Sequence, residues 1–508
     1  MVEQSSIWRG IGIVSLLTVF VLVVHGYHPF VEDGGLYIAG IKKLLDPALY
    51  PAWSEFVTEH LRFSLFAPMV AGIVRLTHLS LPWVLLLIYC ASIWTTLFAG
   101  WMVISRAVES LAGRSGGVAL LACWLTMPIA GTSLMLMDPY VTARSFSTPL
   151  ALFAVAWAMD IARSAQTNKR IFSAALCFAA IAFAAVLHPL MAGYALATVA
   201  VMLCVGSSNG QVRRWGPWIL LTVALLGAAA LQTKAPAESA NYVWVAMTRY
   251  YWFPFRWEWY EQIGLVAPLI VLAILGRRHI GSICDQWHVL VRLGLALGGI
   301  ALAVAIAFSR AKLGTHLVAR MQPLRLYQMV YEIMILLFGA WIGERILAAR
   351  AWRWALLFSV FGGLMFFVQR STFPASTHLE MPWRTPHNPW VRAFLWAHDN
   401  SAKKDLFALD AHYITSDGED AQTFRAIAER SAVPDYSKDG GEASITPDLT
   451  ERWVIGQAAQ TNLDKEDDAA RLTKLSGLGV NWVILKHGSV TNWACPYSND
   501  TVKVCRVP

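Results

Sequence analysis

Residues 28–46 read HPFVEDGGLYIAGIKKLLD and follow directly after the first long apolar run of the chain. The stretch contains two adjacent acids, Glu32 and Asp33, then Gly34 and Gly35, then an amphipathic segment with its lysines on one side. Carboxylates are costly inside a bilayer, and two glycines let the backbone bend sharply at the end of a membrane helix. The stretch is therefore either a solvated acidic loop or a carboxylate held at the membrane surface for chemistry.

The composition is typical of a membrane protein. Of the 508 residues, 56% are hydrophobic and 15% are charged, whereas a soluble protein carries about a quarter charged residues. Apolar runs of about 20 residues, the length that crosses a bilayer, recur along the chain. We therefore predict a multi-span α-helical membrane protein. No small-residue cleavage site follows the first run, 11–24, so we interpret it as an uncleaved span.

The charge is unevenly distributed between two parts of the chain. Residues 380–508 contain 14 basic and 18 acidic side chains, a net charge of −4, although the whole chain carries +8. The first 379 residues therefore carry +12, and basic residues in a membrane protein mark cytoplasmic loops. This charge gives no argument for nucleic-acid binding, and we expect no nucleic-acid partner.

Twelve apolar runs are candidate spans. If all twelve cross the membrane from a cytoplasmic N-terminus, the basic loop 163–170 lies outside, against the positive-inside rule. Omitting the run 61–77, which contains Pro68, Gly72 and Arg75, places the basic short loops inside. About 11 transmembrane helices then remain, with the C-terminus outside. The twelve runs lie near 7–27, 61–77, 82–104, 116–136, 143–162, 171–187, 190–206, 215–233, 262–276, 289–308, 322–343 and 353–369.

This topology places the polar segments between the apolar runs together on the outer face. The chain divides into a transmembrane domain, 1–379, and a soluble extracytoplasmic domain, 380–508. The outer segments are the acid pair, the turn at Asp138, the turn His188-Pro189, the loop 233–261, the segment 309–320 and the whole tail.

The tail is predicted to be a small α/β domain, because helical and strand patterns alternate in it. Asn388-Pro389 is typical of an N-cap followed by proline at the first helical position. Residues 405–410 and 480–486 have the pattern of strands. Further predicted elements are a capping box at Ser416 and Glu419, a helix from Thr446-Pro447 and a helix over 464–475.

Three acids, one arginine and one histidine are candidates for chemistry. Asp33, with Glu32 beside it, is placed to act as a general base at the membrane surface. Asp138 follows an apolar run within MDPYVTAR, where Asp-Pro is also an ordinary turn starter. Arg144 begins the next span and either binds a phosphate or pairs with Asp138. His188 either marks a turn between two spans or contributes to substrate binding.

Two outer segments carry a concentration of cations. The loop 233–261 contains ten aromatic residues between Tyr242 and Tyr260, and the segment that begins at Ser309 is basic on the outer side. Aromatic rings with guanidinium groups suit a sugar or a lipid phosphate, or else a belt at the headgroup level. The basic segment suits the phosphate of a lipid-linked substrate, or else an ordinary anionic headgroup. The candidate cations are Arg249, Arg256, Arg310, Lys312, Arg320 and Arg325.

The seven cysteines fall into two groups. Five lie in or beside apolar runs without metal-ligand spacing and are interpreted as packing residues. Cys495 and Cys505 flank a turn sequence in the tail, which the topology places in an oxidising compartment. We therefore predict a disulfide between them.

The layout resembles the GT-C superfamily of membrane glycosyltransferases. The resemblance lies in EDGGLYIAGIKKLL in the first outer loop, in MDPY in a later one, and in the soluble 380–508 tail. The tail motifs NPWVRAFLWAHDNS, LFALD and FRAIAERS are also similar to a group of bacterial membrane proteins without an assigned activity. The WWDYG-type signature of the oligosaccharyltransferases does not occur in the sequence.

The resemblance implies transfer of a sugar from a polyprenyl-phosphate donor to an acceptor at the outer face of a bacterial inner membrane. Asp33 would deprotonate the acceptor, and arginines would stabilise the phosphate leaving group. Asp138 would orient the donor or hold a divalent cation. The expected partners are membrane lipid and the lipid-linked sugar.

Two other function classes remain open from the sequence. A transporter or lipid flippase needs polar residues inside its spans, and Glu332 within QMVYEIMILL is the candidate for such a role. A non-catalytic assembly or sensor protein would use the tail for binding.

Overall fold

The computed structural model describes residues 2–278, 284–415, 420 and 422–508, so the capping box expected at Ser416 and Glu419 lies outside the described residues. The structure is mostly helical. The helices before residue 380 are α1 Val2–His25, α2 Glu32–Leu45, α3 Glu55–Thr58, α4 Phe66–Thr77, α5 Leu81–Ala107, α6 Leu111–Cys123, α7 Arg144–Arg163, α8 Thr167–Leu187, α9 Pro189–Val205, α10 Gly210–Lys234, α11 Ala240–Met247, α12 Trp259–Leu275, α13 Asp285–Phe308, α14 Leu317–Arg320, α15 Tyr327–Ile342, α16 Ala351–Leu357 and α17 Gly363–Thr372.

Among the described residues, eight helical segments are long and apolar enough to cross a membrane. Four shorter apolar helices, α4, α6, α9 and α12, accompany them. The predicted number of 11 spans is therefore not confirmed by length and composition. The eight segments are Trp8–His25, Leu81–Ala107, Arg144–Arg163, Thr167–Leu187, Gly210–Lys234, Asp285–Phe308, Leu317–Leu347 and Ala351–Thr372.

The run 61–77, omitted from the predicted spans, forms the short helix α4. Its 12 residues extend about 18 Å, well below the roughly 30 Å of a hydrocarbon core. Ser64, just before α4, donates to Leu187 O, and Arg75 in its last turn donates to Leu44 O. Both ends of α4 therefore lie at the end of the bundle that holds α2.

The run 116–136 is not one helix, contrary to the pattern of its sequence. Helix α6 ends at Cys123, and residues 124–143 form turns. A Cβ atom on Gly117 would lie 2.8 Å from Leu336 O, so only glycine permits the close packing of α6 on α15. Gln328 of α15 donates to Leu136 O at 3.0 Å and holds the turns that carry Asp138 against α15.

The tail forms a five-stranded sheet of order β2-β1-β3-β5-β4, in which β1, β2 and β3 are parallel and β5 is antiparallel to β3 and β4. Its core contains Phe394, Phe407 and Val483, all fully buried. The strands predicted over 405–410 and 480–486 are confirmed. The elements are α18 Pro389–Asn400, β1 Leu406–Leu409, α19 Phe424–Ala428, β2 Ser431–Ala432, α20 Lys438–Ile445, α21 Thr450–Gln460, α22 Asp468–Leu475, β3 Trp482–Lys486, β4 Tyr497–Ser498 and β5 Val502–Arg506.

The helix starts in the tail follow from local capping. Asn388 Oδ1 accepts from Trp390 N at 2.9 Å, which confirms the predicted N-cap of α18. The helix predicted from Asp464 begins at Asp468 instead, because Asp467 is the cap and accepts from Ala470 N. Residues 447–449 form a single 3₁₀ turn, and α21 begins only at Thr450.

The polar segments gather at one end of the bundle, as the sequence predicts. Asn241 donates to Glu451, Arg320 to Ile445 O, and His28 N to Pro139 O, so the loops and the tail are in mutual contact. The opposite end holds basic loops, where Arg106 forms a two-point ion pair with Asp160 at 2.6 and 2.8 Å. The compartment that each end faces remains a prediction.

Candidate active site

The acid pair occupies the first turn of α2, where the helix dipole favours negative charge. Glu32 has a positive φ of 50°, a conformation that costs energy for a residue with a side chain. A Cβ atom on Gly34 would lie 2.6 Å from Pro29 O, and one on Gly35 would clash with Thr423 of the tail. The two glycines therefore allow this turn to pack closely against both its own loop and the tail.

Five charged side chains of alternating sign form one row at this turn, in the order Glu32, Lys438, Asp33, Arg144 and Asp138. Lys438 Nζ forms an ion pair with Glu32 and lies 3.4 Å from Asp33 Oδ1. Arg144 Nη2 lies 3.5 Å from Asp33 Oδ2 and 2.7 Å from Asp138 Oδ2. Asp33 is thus the central carboxylate, and both of its ion-pair contacts are longer than those of its neighbours.

The two aspartates differ in environment. The Asp33 side chain is 39% exposed, whereas the Asp138 side chain is 7% exposed. Burial acts to raise the pKa of Asp33, but the charges of Lys438, Arg144 and Arg325 outweigh it and lower this pKa to about 2. Burial raises the pKa of Asp138, and Arg144 opposes this effect only in part. Two carboxyl groups whose pKa values are shifted in opposite directions are suited to different roles.

Asp138 is tied to Arg144 through two hydrogen bonds, from Nε at 3.2 Å and from Nη2 at 2.7 Å. Arg144 is the first residue of α7, where a positive charge is unfavourable next to the helix dipole. The two carboxylates offset this cost and hold the guanidinium in place. The pairing of Arg144 with Asp138, one of the roles that the sequence leaves open, is therefore present in the structure. Binding of a phosphate by the same guanidinium stays a prediction.

Arg325 and His188 lie near the row. The charge of Arg325 acts on Asp33 and on His188, and its Nε donates to Gln322 Oε1 at 2.7 Å. Burial, with the charges of Arg325 and Arg144, lowers the pKa of His188 to about 3, so its imidazole is neutral at pH 7. Of the predicted cations, Arg144 and Arg325 are therefore the two that the fold brings to the acids.

The other predicted cations lie elsewhere. Arg249 donates to Tyr436 O and Ser437 O at 2.9 and 2.7 Å, and Arg320 contacts Ile445 O at 3.5 Å, so both anchor the tail. The remaining three lie in the exposed loops, where two of them donate to nearby backbone carbonyls. These are Arg256, which donates to Met247 O, Arg310, which donates to Ile306 O, and Lys312, which is exposed. These five cations are therefore not part of the row of acids, and their contact with a substrate stays a prediction.

Lys438 is the site residue that the sequence analysis missed. It begins α20 in the tail, 405 residues from Asp33, and its side chain is 14% exposed. The surrounding sequence, YSKDGGEAS, carries no motif for a catalytic cation. Only the docking of α20 against α2 reveals it.

The acids do not form a set of ligands suited to a divalent cation. Asp33 and Asp138 both contact Arg144, so a guanidinium already occupies the position between them. Within the described ranges, no group of three or more His, Cys, Asp or Glu side chains is placed to hold a metal ion.

Glu332, the candidate for a transport role, is 1% exposed and has no hydrogen-bond partner for either carboxylate oxygen. It lines a cavity of about 20 Å³ together with Arg325, Gln328 and Tyr194. That volume holds about one water molecule. The cavity gives no room for passage of a solute or lipid in this conformation.

The tail also contains the predicted cysteine pair. The structure places Cys495 and Cys505 in a disulfide, and Cys505 lies on β5. The other five cysteines are free and lie in the membrane part. The disulfide closes the segment that carries the β4–β5 hairpin.

Comparison with known proteins gives matches among solved structures. The archaeal oligosaccharyltransferase AglB from Archaeoglobus fulgidus, solved with an inhibitory peptide and a dolichol-phosphate, matches with 10% identity and a TM-score of 0.49. This match covers 94% of this chain and 69% of that chain. The arabinofuranosyltransferase AftD from Mycobacteria matches with 13% identity and a TM-score of 0.48, over 98% of this chain and 41% of that chain. No family model and no curated protein matches the chain.

The matched proteins are glycosyltransferases of the GT-C type, the type that the sequence resembles. The TM-scores lie below 0.5 and the identities are near one tenth, so these matches do not show the activity of this chain.

Proposed function

We propose that the chain is an integral membrane glycosyltransferase that transfers a sugar from a polyprenyl-phosphate donor to an acceptor at the outer face of a bacterial inner membrane. The observation that carries this proposal is the position of Asp33. It is the exposed carboxylate at the centre of the row, flanked by two cations at 3.4 and 3.5 Å. A base beside cations suits a reaction in which a proton leaves the acceptor and a phosphate leaves the donor.

In the proposed reaction, Asp33 takes the proton from an acceptor hydroxyl or amine. The acceptor atom forms a bond to the anomeric carbon of the sugar, and the bond from that carbon to the phosphate oxygen breaks. The electron pair of this bond leaves with the polyprenyl phosphate. Arg144 and Arg325 stabilise the negative charge that develops there, because guanidinium groups match phosphate oxygens in geometry.

Asp138 is assigned a positioning role. It holds Arg144 by two hydrogen bonds and keeps the guanidinium beside Asp33, at 3.5 Å. His188, neutral at pH 7, is assigned to contact with the polar part of the substrate, as a hydrogen-bonding group without charge.

The test is a transfer assay with purified protein in nanodiscs. Polyprenyl-phosphate-linked sugars of several kinds are offered together with a cell-envelope extract as the acceptor, and release of polyprenyl phosphate is measured. We expect release that depends on the acceptor and is lost in Asp33→Asn. Equal release by wild type and Asp33→Asn with every donor would refute the proposal.

A further inference from the structure

We propose that Lys438 is a phosphate ligand contributed by the tail, and that the donor phosphate releases Asp33 for catalysis by engaging Lys438 and Arg144. This inference rests on the proposed function and adds to it the order of events. The base becomes competent only after the donor has bound.

The tail holds Lys438 in a fixed position. Asp435 Oδ1 accepts from the backbone N of Lys438 at 2.6 Å, and Arg249 holds the carbonyls of the two preceding residues. Asp439, beside Lys438, is held by Arg425 Nη1 at 2.7 and 2.8 Å. A solvated surface lysine has no need of such support, so the arrangement indicates that the position of this ammonium matters.

The ion pairs of Lys438 with the two carboxylates can be exchanged for contacts with a phosphate. Its ammonium group has three donors and lies between the carboxylates of Glu32 and Asp33, with the shorter contact to Glu32. Glu32 is half exposed, so its ion pair is screened by solvent. A phosphate placed beside Asp33 offers more charge and more acceptor oxygens than either carboxylate. It therefore competes for both Lys438 and Arg144.

The exchange changes the basicity of Asp33. Before the donor binds, the neighbouring cations lower the pKa of Asp33 to about 2, and a carboxylate of that pKa is a weak base at neutral pH. When phosphate shares those cations, their effect on Asp33 falls and its proton affinity rises. The acceptor is then deprotonated only beside a bound donor, which disfavours unproductive chemistry on either substrate alone.

The experiment measures binding, so it does not depend on activity. The probes are a short-chain polyprenyl phosphate, inorganic phosphate, and vesicles of anionic phospholipid, each titrated against full-length protein in nanodiscs. The variants are Lys438→Met, Lys438→Arg and Glu32→Gln. Lys403→Met is the matched control, because Lys403 also pairs the tail with the first loop, at 2.7 Å from Asp46, but away from the row.

We expect Lys438→Met to weaken binding of polyprenyl phosphate about tenfold, the effect of losing one charge-assisted hydrogen bond. Lys438→Arg and Lys403→Met should stay close to wild type. Glu32→Gln should bind more tightly than wild type, because the competing carboxylate is gone. A purely structural role for Lys438 does not predict this gain.

Unchanged binding in both Lys438→Met and Glu32→Gln would overturn the inference, and if Lys438→Met fails to fold, Glu32→Gln alone decides it. Binding of inorganic phosphate through Lys438 without binding of polyprenyl phosphate would support Lys438 as a phosphate ligand. It would refute a lipid-linked donor. A Lys438 effect confined to phospholipid vesicles would overturn the assignment to the site. Absence of binding to any probe by wild type would overturn both proposals.

Discussion

Asp33 and Lys438 are 405 residues apart in the chain, and their side chains lie 3.4 Å apart at the centre of the charged row. One lies in the first turn of α2 and the other in the tail. The tail is therefore part of the site and not only an appended domain. Its docking contributes a cation directly to the carboxylate that we assign as the base.

The first prediction concerns Asp33 itself. Asp33→Asn keeps the size and shape of the side chain and removes its charge, so transfer should fall about 100- to 10,000-fold while folding persists. Membrane levels and the melting temperature check the fold, and a glycolipid profile of complemented cells checks activity. Asp46→Asn is the matched control and should retain transfer, because Asp46 also follows α1 but pairs with Lys403, away from the row. Full complementation by Asp33→Asn would refute the role of Asp33 as the base.

The second prediction separates the structural role of Asp138 from its role in activity. Asp138→Asn leaves the buried Arg144 with Asp33 as its one charged partner, at the longer distance, and should cost about 3 kcal/mol in the free energy of unfolding. The double variant Asp138→Asn with Arg144→Met removes the unpaired charge. It should recover much of the stability but none of the activity. Denaturation and transfer are measured on the same preparations, and recovered transfer would contradict the role of Arg144.

The third prediction concerns pH and Glu442, which lies one turn after Lys438 on α20. Burial, with the charges of Asp439 and Asp33, raises the pKa of Glu442 to about 8. Burial also lowers the pKa of His60 to about 4, so the 3.9 Å contact between these two side chains joins neutral groups at pH 7.

A raised carboxyl pKa means that the folded state binds the proton more tightly than the unfolded state does. The resulting contribution to the free energy of unfolding is fully present below about pH 4.3, the ordinary pKa of glutamate. It is lost as the pH rises towards about 8. The melting temperature of Glu442→Gln should therefore exceed that of wild type by a difference that grows from pH 5 to pH 8. Above pH 8 this difference should stay constant. The same difference in melting temperature between variant and wild type at every pH would contradict the raised pKa.

The fourth prediction places the tail outside the cytoplasm. A phosphatase that is active only outside, fused after Pro508, should be active, and a cytoplasmic reporter at the same position should be silent. The reason is that the omission of 61–77 puts the basic short loops inside. The opposite pattern of reporter activity would reverse the topology and move the charged row to the cytoplasmic face.

The fifth prediction concerns the tail disulfide. Cys495 and Cys505 close a segment with a separation of 10 residues, and loss of such a link should cost about 3 kcal/mol by chain entropy. Mass spectrometry of non-reduced peptides should show the linked pair, and replacing both cysteines by serine should lower the melting temperature. Finding both thiols alkylated in protein isolated without reductant would contradict this prediction.

The sequence by itself determined much of the architecture. Apolar length and the acidic tail indicated membrane helices followed by a soluble α/β domain, because burial and hydration act on local composition. The short glycine-rich turn after Asp33 and the cap at Asn388 were also local signals, since each depends on residues adjacent in the chain. The apolar pattern also predicted that 116–136 is one membrane span, which is wrong for its second half. An apolar run does not reveal that this half forms turns against α15.

Only the tertiary structure decided which charges meet. The alternation of Glu32, Lys438, Asp33, Arg144 and Asp138 depends on three separate segments docking at one end of the bundle. Ion pairing acts through distance in space, and no periodicity in the chain encodes it. For that reason the sequence identified the acids and Arg144 but missed Lys438. For the same reason it assigned Arg249 to a substrate, whereas the fold uses it to hold the loop that presents Lys438.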